Sequence, residues 1–258
     1  LDDMRRDVRR ASAEALGEIG EMRSTGHLLE VSLKDVDAHV RRSAIEALGN
    51  IQAKDAFKAL MDLLEVEKYY DVIEKIVESL IKIDADAFLS DMPKYRDNVR
   101  EIIAKTVSDV DILLRLADDP NKKVKIAAIY GLGRIGTDKA VSRLIWFLGD
   151  SDPDIRKAAV VGLGEARYCS AELFNALQDD DPWVRFYTIK AIAFSCDKGK
   201  AISMIGTMLH DEFIPVVMSA IDAISEIGGR EAYEALVVNE EHPNPDVRDK
   251  IKEALSSL

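Results

Sequence analysis

A pattern of twelve positions, apolar at one, five, eight, nine and twelve, recurs nine times along the chain. One copy reads Val40-Arg41-Arg42-Ser43-Ala44-Ile45-Glu46-Ala47-Leu48-Gly49-Asn50-Ile51, and the others begin at Val8, Val72, Val99, Val124, Ile155, Val184, Val216 and Val247. Starts are separated by 32, 32, 27, 25, 31, 29, 32 and 31 residues. The apolar positions share one face of a helix. Position one is always Val or Ile, position nine is Leu, Ile or Val, and position eight is small in every copy. A second apolar pattern lies between copies, as in Ala56 to Leu64, Ala140 to Leu148, Leu173 to Leu177 and Ile202 to Leu209. Each unit therefore predicts two antiparallel helices, A then B, with B carrying the twelve-position pattern. A period in this range predicts a stacked-repeat architecture. The expected fold is all-α, a right-handed α-solenoid of antiparallel helix pairs. It should run over residues 1–258 as one array of about eight and a half repeats, with the first A helix missing.

Local signals agree with this frame. Asp119-Pro120, Asp152-Pro153, Asp181-Pro182 and Asn244-Pro245 precede four B helices, where Asp or Asn can cap free N–H groups and Pro is tolerated at the first position. Gly20, Gly136 and Gly228 stand just past the last apolar position and read as stop signals. Small residues at positions eight and ten, such as Gly131, Gly133, Gly162 and Gly164, predict close approach of neighbouring helices. The two shortest steps require short A helices near residues 86–92 and 111–116, where a change of curvature is expected. Leu33, Leu148, Leu177 and Leu209 stand seven before position one and read as A-helix core. Leu1 keeps that phase and Leu258 falls on position twelve, which suggests a piece of a longer protein. Trp146 and Phe147 have core spacing on an A helix, and Trp183 sits in a helix-entry turn where it can cover the ridge between repeats.

Composition narrows the function classes. The chain has 258 residues, 47% hydrophobic and 32% charged, which is the balance of a folded rather than a disordered protein. No apolar run approaches the roughly 18 residues of a membrane span, so no membrane partner is expected. A net charge of −12 disfavours nucleic acid, whose binders need a basic field. Cys169 and Cys196 are too few for a disulfide framework and read as reduced, half-buried thiols, although they follow equivalent points of adjacent repeats and could lie close in space. The expected location is cytoplasmic.

The motifs Asp152-Pro-Asp-Ile-Arg-Lys-Ala-Ala159, Asp181-Pro-Trp-Val-Arg185 and Val40 to Gly49 resemble the HEAT-like repeat family, in particular its short-repeat branch named after phycobilisome lyases. The resemblance covers almost the whole chain. It implies that the basic residue at position two pairs with an Asp in the inter-helix turn of a neighbouring repeat. That position holds Arg9, Arg41, Arg100, Lys125, Arg156, Arg185 and Arg248, but Ile73 and Val217 interrupt it. The family includes scaffolds, assembly factors, bilin-attachment proteins and a metal-dependent hydroxylase that binds iron through His-Glu pairs. No His-Glu dipeptide occurs here, so the hydroxylase activity does not carry over.

Candidate chemistry is sparse. His27, His39, His210 and His242 fit no metal-ligand spacing and read as turn or solvent residues. Gly131, Gly133 and Gly136 match a dinucleotide fingerprint formally, but lie within and after a helix rather than between strand and helix. The basic run Arg5-Arg6-Asp7-Val8-Arg9-Arg10 reads as a solvated turn plus position-two arginine. Nothing pairs an activated nucleophile with a base, so no enzyme activity, metal or cofactor is expected.

The informative surface is the stripe of positions three, seven and eleven, spaced four apart on each B helix. In the first three repeats it is polar: Arg10, Glu14, Glu18; Arg42, Glu46, Asn50; Glu74, Glu78, Lys82. From the fifth repeat it changes to Ile126, Tyr130, Arg134; Lys157, Val161, Glu165; Phe186, Lys190, Phe194; Met218, Asp222, Glu226, with Tyr187 beside Phe186. Aromatic, Met and Arg side chains on a solvated face have the composition of an interface core. Burial between adjacent B helices is the other outcome. The expectation is a non-catalytic scaffold or adaptor that binds a protein or peptide on the concave side through Ile126, Tyr130, Arg134, Val161, Phe186, Tyr187, Lys190, Phe194 and Met218. The alternative, from resemblance alone, is a bilin lyase or chromophore-handling factor.

Overall fold

The computed structural model describes residues 1–258 and contains sixteen α-helices and no strands. Its contacts divide it into two compact units, Leu1–Thr106 and Val107–Leu258. The boundary falls inside the 25-residue step between Val99 and Val124, the shortest in the chain. In the first unit, α1 (Arg6–Ile19), α2 (Thr25–Lys34), α3 (Ala38–Asn50), α4 (Phe57–Val66), α5 (Tyr70–Ser90) and α6 (Asp97–Thr106) alternate B and A until α5. There one helix carries both roles. Asp84 breaks it with an extended backbone (φ −159°, ψ 89°), and the Asp84 carboxylate accepts the Ala87 N–H at 3.0 Å as a new cap. A B helix thus turns into a short A helix without a loop, which is how the 27-residue step is made.

The second unit holds α7 (Val110–Leu116), α8 (Lys122–Ile135), α9 (Asp138–Phe147), α10 (Pro153–Glu165), α11 (Ala171–Asn175), α12 (Pro182–Ser195), α13 (Lys198–Gly206), α14 (Ile214–Ile227), α15 (Arg230–Val237) and α16 (Pro245–Ser257). Here the even-numbered helices carry the twelve-position pattern. Asp152, Asp181 and Asn244 cap α10, α12 and α16, each with Pro at the first turn. At α8 the expectation shifts by two residues. Asn121 is the cap, while the Asp119 carboxylate accepts the Asn121 N–H at 2.8 Å.

B helices stack on B helices in both units: α1 on α3 on α5, and α8 on α10 on α12 on α14 on α16. Position ten of one repeat lies against position eight of the next. A β-carbon on Gly133 would stand 2.6 Å from the Gly162 Cα, and one on Gly49 would stand 2.6 Å from the Ser79 Oγ. Ser79 is buried and donates its hydroxyl to the Ile45 carbonyl at 2.9 Å, so even this polar group is satisfied inside the helix contact. The apolar face below is sealed by residues such as Val40, Leu48, Val72, Leu80, Leu132, Leu163, Ile192 and Ile224.

Two core assignments are corrected. Leu33 is 42% exposed, because the buried stripe of α2 is Leu28, Val31 and Ser32, and the next residue turns about 100° away from it. Trp146 is 60% exposed for the same reason: the buried stripe of α9 is Ala140, Val141, Leu144 and Phe147. Its ring instead carries the Arg143 guanidinium at 4.3 Å. Leu177 and Leu209 are buried as expected, and Leu148 is half-buried.

The turns between helices are tied by the position-two arginines. Arg9 grips Asp35 with two bonds (2.6 and 3.0 Å), Arg156 grips Asp179 (2.7 and 2.8 Å), and Arg185 grips Asp211 (2.7 and 2.8 Å). Arg41 reaches Glu67 at 3.1 Å in the same way. Each guanidinium also donates to a carbonyl six residues earlier, as Arg185 does to Asp179 at 2.8 Å and Arg41 to Asp35 at 3.1 Å. One side chain therefore holds its own turn and the next one. The carboxylates in turn accept backbone N–H groups, Asp37 on Asp35 and Phe213 on Asp211. Where Val217 removes the arginine, the corresponding turn carries His242 in place of the acid. Its Nδ1 accepts the Asn244 N–H at 3.1 Å.

Two outcomes follow from this packing. Gly133→Ala should destabilise the second unit by about 1–3 kcal/mol because backbone faces the new methyl group. Gly206→Ala, where nothing lies within 4 Å, should be neutral or stabilising. Urea denaturation of both variants checks this, and equal effects would contradict the close-contact role. The second outcome concerns pH. The Arg9 hydrogen bond holds the Asp35 carboxyl below its usual range. For Asp211, burial opposes ionisation, but bonds from Arg185 and the Phe213 N–H outweigh it and the net shift is downward. Carboxylates lowered on folding stabilise fully above the unfolded pKa of about 3.9 and lose that contribution as pH falls through their folded values. Thermal midpoints should therefore drop steeply below about pH 4, and Asp211→Asn should flatten that drop while lowering stability at neutral pH.

Candidate interaction surface

The stripe of positions three, seven and eleven is a shared surface between neighbours rather than a row on isolated helices. Position four of one B helix reaches position seven of the preceding one. Ser43 donates to Glu14 at 3.1 Å, Lys75 to Glu46 at 3.3 Å, and Lys250 pairs with Asp222 at 2.9 Å. In the first unit this face lines an acidic cleft of about 260 Å³ with Glu14, Glu18, Ser43, Glu46 and Asn50.

In the second unit the same positions of the fifth to seventh repeats are aromatic and basic, whereas the eighth and ninth return to carboxylates at Asp222, Glu226, Asp249 and Glu253. Ile126, Tyr130, Val161, Phe186, Tyr187 and Met218 are half-buried, whereas Arg134, Lys190 and Phe194 are exposed, Phe194 at 61%. The rings form one connected group on α12. Phe186 meets Tyr187 edge-on at 5.3 Å and Trp183 at 5.5 Å, and Trp183 meets Phe213 of the next turn at 5.6 Å. Trp183 thus covers the ridge between repeats, as its turn position implied, while remaining 48% exposed. Burial pushes the Tyr130 phenol up from its usual value; Lys157 opposes this and Tyr187 adds to it, so the three side chains share one patch. Lys157 is held there by Asp154 at 2.7 Å. The hydrogen bonds from Lys122 and then Lys157 draw the Asp154 carboxyl down to about 2.

The stripe is therefore neither sealed nor fully solvated. Residues next to the core are half-buried by the neighbouring helix, and Lys190 and Phe194 at the outer edge face solvent. Met218 lies on α14 at the same register and is half-buried.

Sequence reasoning missed the lower edge of this patch. Cys169 and Cys196 form a disulfide with Cα atoms 5.1 Å apart, joining the turn after α10 to the turn after α12. The expected pair of reduced thiols is corrected: the two cysteines lie in the turns that follow adjacent B helices, which stacking brings together. The cytoplasmic reading leaned partly on reduced thiols and loses that support. Arg167, two residues before Cys169, was also missed. Its guanidinium lies 4.9 Å from the centre of the Phe194 ring. The signal available was its register: it stands thirteenth in its repeat, where Gly20, Gly136 and Gly228 stand in others.

The chain matches the family described as HEAT repeats over residues 1–81, 110–172 and 170–256. It belongs to the HEAT-repeat family. HEAT repeats commonly mediate protein interactions. No curated protein matches it. Among solved structures, a crystal structure of an engineered protein is similar at 17% identity, with a TM-score of 0.46, covering 100% of this chain and 86% of that one. No helix of this HEAT-repeat chain is long and apolar enough to cross a membrane.

A cleft of about 380 Å³ lies near Asp179, Arg185 and Asp211, but these charged groups already bind one another in the arginine ladder. The α8–α12 face carries the connected aromatic group of Trp183, Phe186 and Tyr187, and on it Trp183 and Phe194 are exposed. Its disulfide encloses a separation of 27 residues, for which the chain-entropy relation gives about 3.5 kcal/mol of stabilisation. Reduction, or Cys169→Ser/Cys196→Ser, should lower the melting temperature of the second unit by on the order of 10 °C. Calorimetry with and without a dithiol checks this, and an unchanged midpoint would show that the bond contributes nothing.

Proposed function

We propose that this chain is a non-catalytic adaptor that holds a protein or peptide partner against the B-helix face of its second unit. The observation that carries the reading is the connected ring group Trp183, Phe186 and Tyr187, continued by exposed Phe194, on a face that is acidic and polar in the first unit. Large rings contribute contact area at low entropic cost, and interface hot spots are enriched in Trp, Tyr and Arg. Ile126, Tyr130 and Val161 supply the half-buried floor, Arg134, Lys190 and Phe194 the solvent-facing edge, and Met218 an adaptable contact at the far side.

Immobilised wild-type protein and a Phe186→Ala/Phe194→Ala variant should be compared for proteins retained from a lysate of the source cells. Circular dichroism verifies that both are folded. The variant should lose most of the retained partner, since two central anchors together typically account for several kcal/mol, about 2 or more each. Retention of the same proteins in the same amounts would remove this face from the reading.

A further inference from the structure

We infer that the α12 face takes an acidic segment interspersed with apolar side chains, its carboxylates seated on Lys190 and Arg167. This rests on the adaptor reading and adds the chemistry of the partner. Three observations carry it.

The first is a column in which rings and cations alternate. Phe186, Lys190 and Phe194 lie four residues apart on α12 and so project from one side. The Lys190 ammonium stands 4.7 Å from the centre of the Phe186 ring, and the Arg167 guanidinium 4.9 Å from that of Phe194. Both cations are exposed, and neither is among the ion pairs of this chain. Each has one side on a ring and its remaining donors directed to solvent, where a carboxylate can accept them in charge-assisted bonds.

The second is the backbone of Arg167. It has φ of +53°; the corresponding position is Gly in three other repeats, at φ +73°, +61° and +69°, and Gln52 in a fourth, at +51°. A side chain in this region costs about 1 kcal/mol or more relative to Gly. Glycine is the cheaper residue for the turn, so the turn itself does not call for arginine. The disulfide lies two residues beyond Arg167 on one turn and two beyond Phe194 on the other, and it fixes the cation over the ring.

The third is charge. Stripe positions of the fifth to seventh repeats carry the cations Arg134, Lys157 and Lys190 against one carboxylate, Glu165. Those of the first three repeats carry five carboxylates against three cations. In a chain of net charge −12, the stripe of these three repeats carries a local excess of cations, which ends at Asp222 and Glu226 of the eighth. A polyanion such as nucleic acid would also meet cations and rings here, but the overall acidic field and the adjacent Asp154 and Glu165 repel a continuous phosphate chain. A short segment with spaced carboxylates fits the spaced cations better.

The test uses three fluorescent probes: a peptide of about 12 residues alternating Glu with Leu and Phe, its counterpart with Gln for every Glu, and a single-stranded oligodeoxynucleotide of similar length. Anisotropy titrations should show the Glu peptide binding roughly tenfold or more tighter than the Gln peptide, with affinity falling as salt rises. Lys190→Gln and Arg167→Gly should each reduce the difference between the two peptides. Arg167→Gly also relieves the turn, so its melting temperature should hold or rise while binding falls, which separates a recognition role from a structural one. Equal binding of the two peptides, no binding of the Glu peptide, tighter binding of the oligonucleotide, or unchanged binding by both variants would each overturn the inference. If the Glu and Gln peptides bind alike while Phe186→Ala/Phe194→Ala still loses its retained partner, the adaptor surface stands and only its acid preference falls.

Discussion

Close contact between successive B helices is the constraint on which the rest of this structure depends. Backbone meets backbone where position ten of one repeat faces position eight of the next, and an added methyl group at Gly133 would stand 2.6 Å from the Gly162 Cα. Side chains at positions one and nine can then reach across and seal the core, as buried Val124, Leu132, Leu163 and Val184 do. The same closeness brings neighbouring position-four and position-seven side chains together on the outer stripe. It also delivers the position-two arginines to the next turn and the two cysteines to each other.

This arrangement divides each B helix between an inner packing face and a variable outer stripe. The inner face and the arginine ladder hold the stack, with guanidinium groups that bridge two turns and acids that accept backbone N–H groups besides. Such pairs are part-buried and networked, which is the setting in which ion pairs contribute most. The outer stripe is released from that duty. It is acidic in the first three repeats and aromatic and basic in the fifth to seventh, over the same packing beneath. The array can therefore vary the chemistry of this face by substitution at three positions per repeat.

Departures from the pattern cluster where local geometry differs. Asp84 lets α5 serve as B and A helix without a loop. The arginine ladder lapses at Val217, and His242 occupies the turn that would hold its acid. Arg167 occupies a positive-φ position that Gly fills in three other repeats and Gln52 in a fourth, beside the disulfide and over the Phe194 ring. The first two are explained by the helices they join. The third brings a cation to the edge of the aromatic stripe, at a cost to the turn.

The amino-acid sequence alone determined the repeat, its phase, the order of A and B helices, the small residues of the contact and most capping sites. All of these are periodic or local, and a helical period of 3.6 residues converts them directly into faces. Tertiary structure decided what depends on rotation within a turn or on distance between turns. Trp146 and Leu33 have core-like spacing, yet each lies about 100° from the buried stripe of its helix, an angle that only the position of the neighbouring helix makes meaningful. The cysteine pair is 27 residues apart along the chain and became a bond because stacking superimposes equivalent turns. The half-buried state of Phe186 and the exposed state of Phe194 likewise follow from how far α10 and α14 overlap α12, a quantity that residue order does not encode locally.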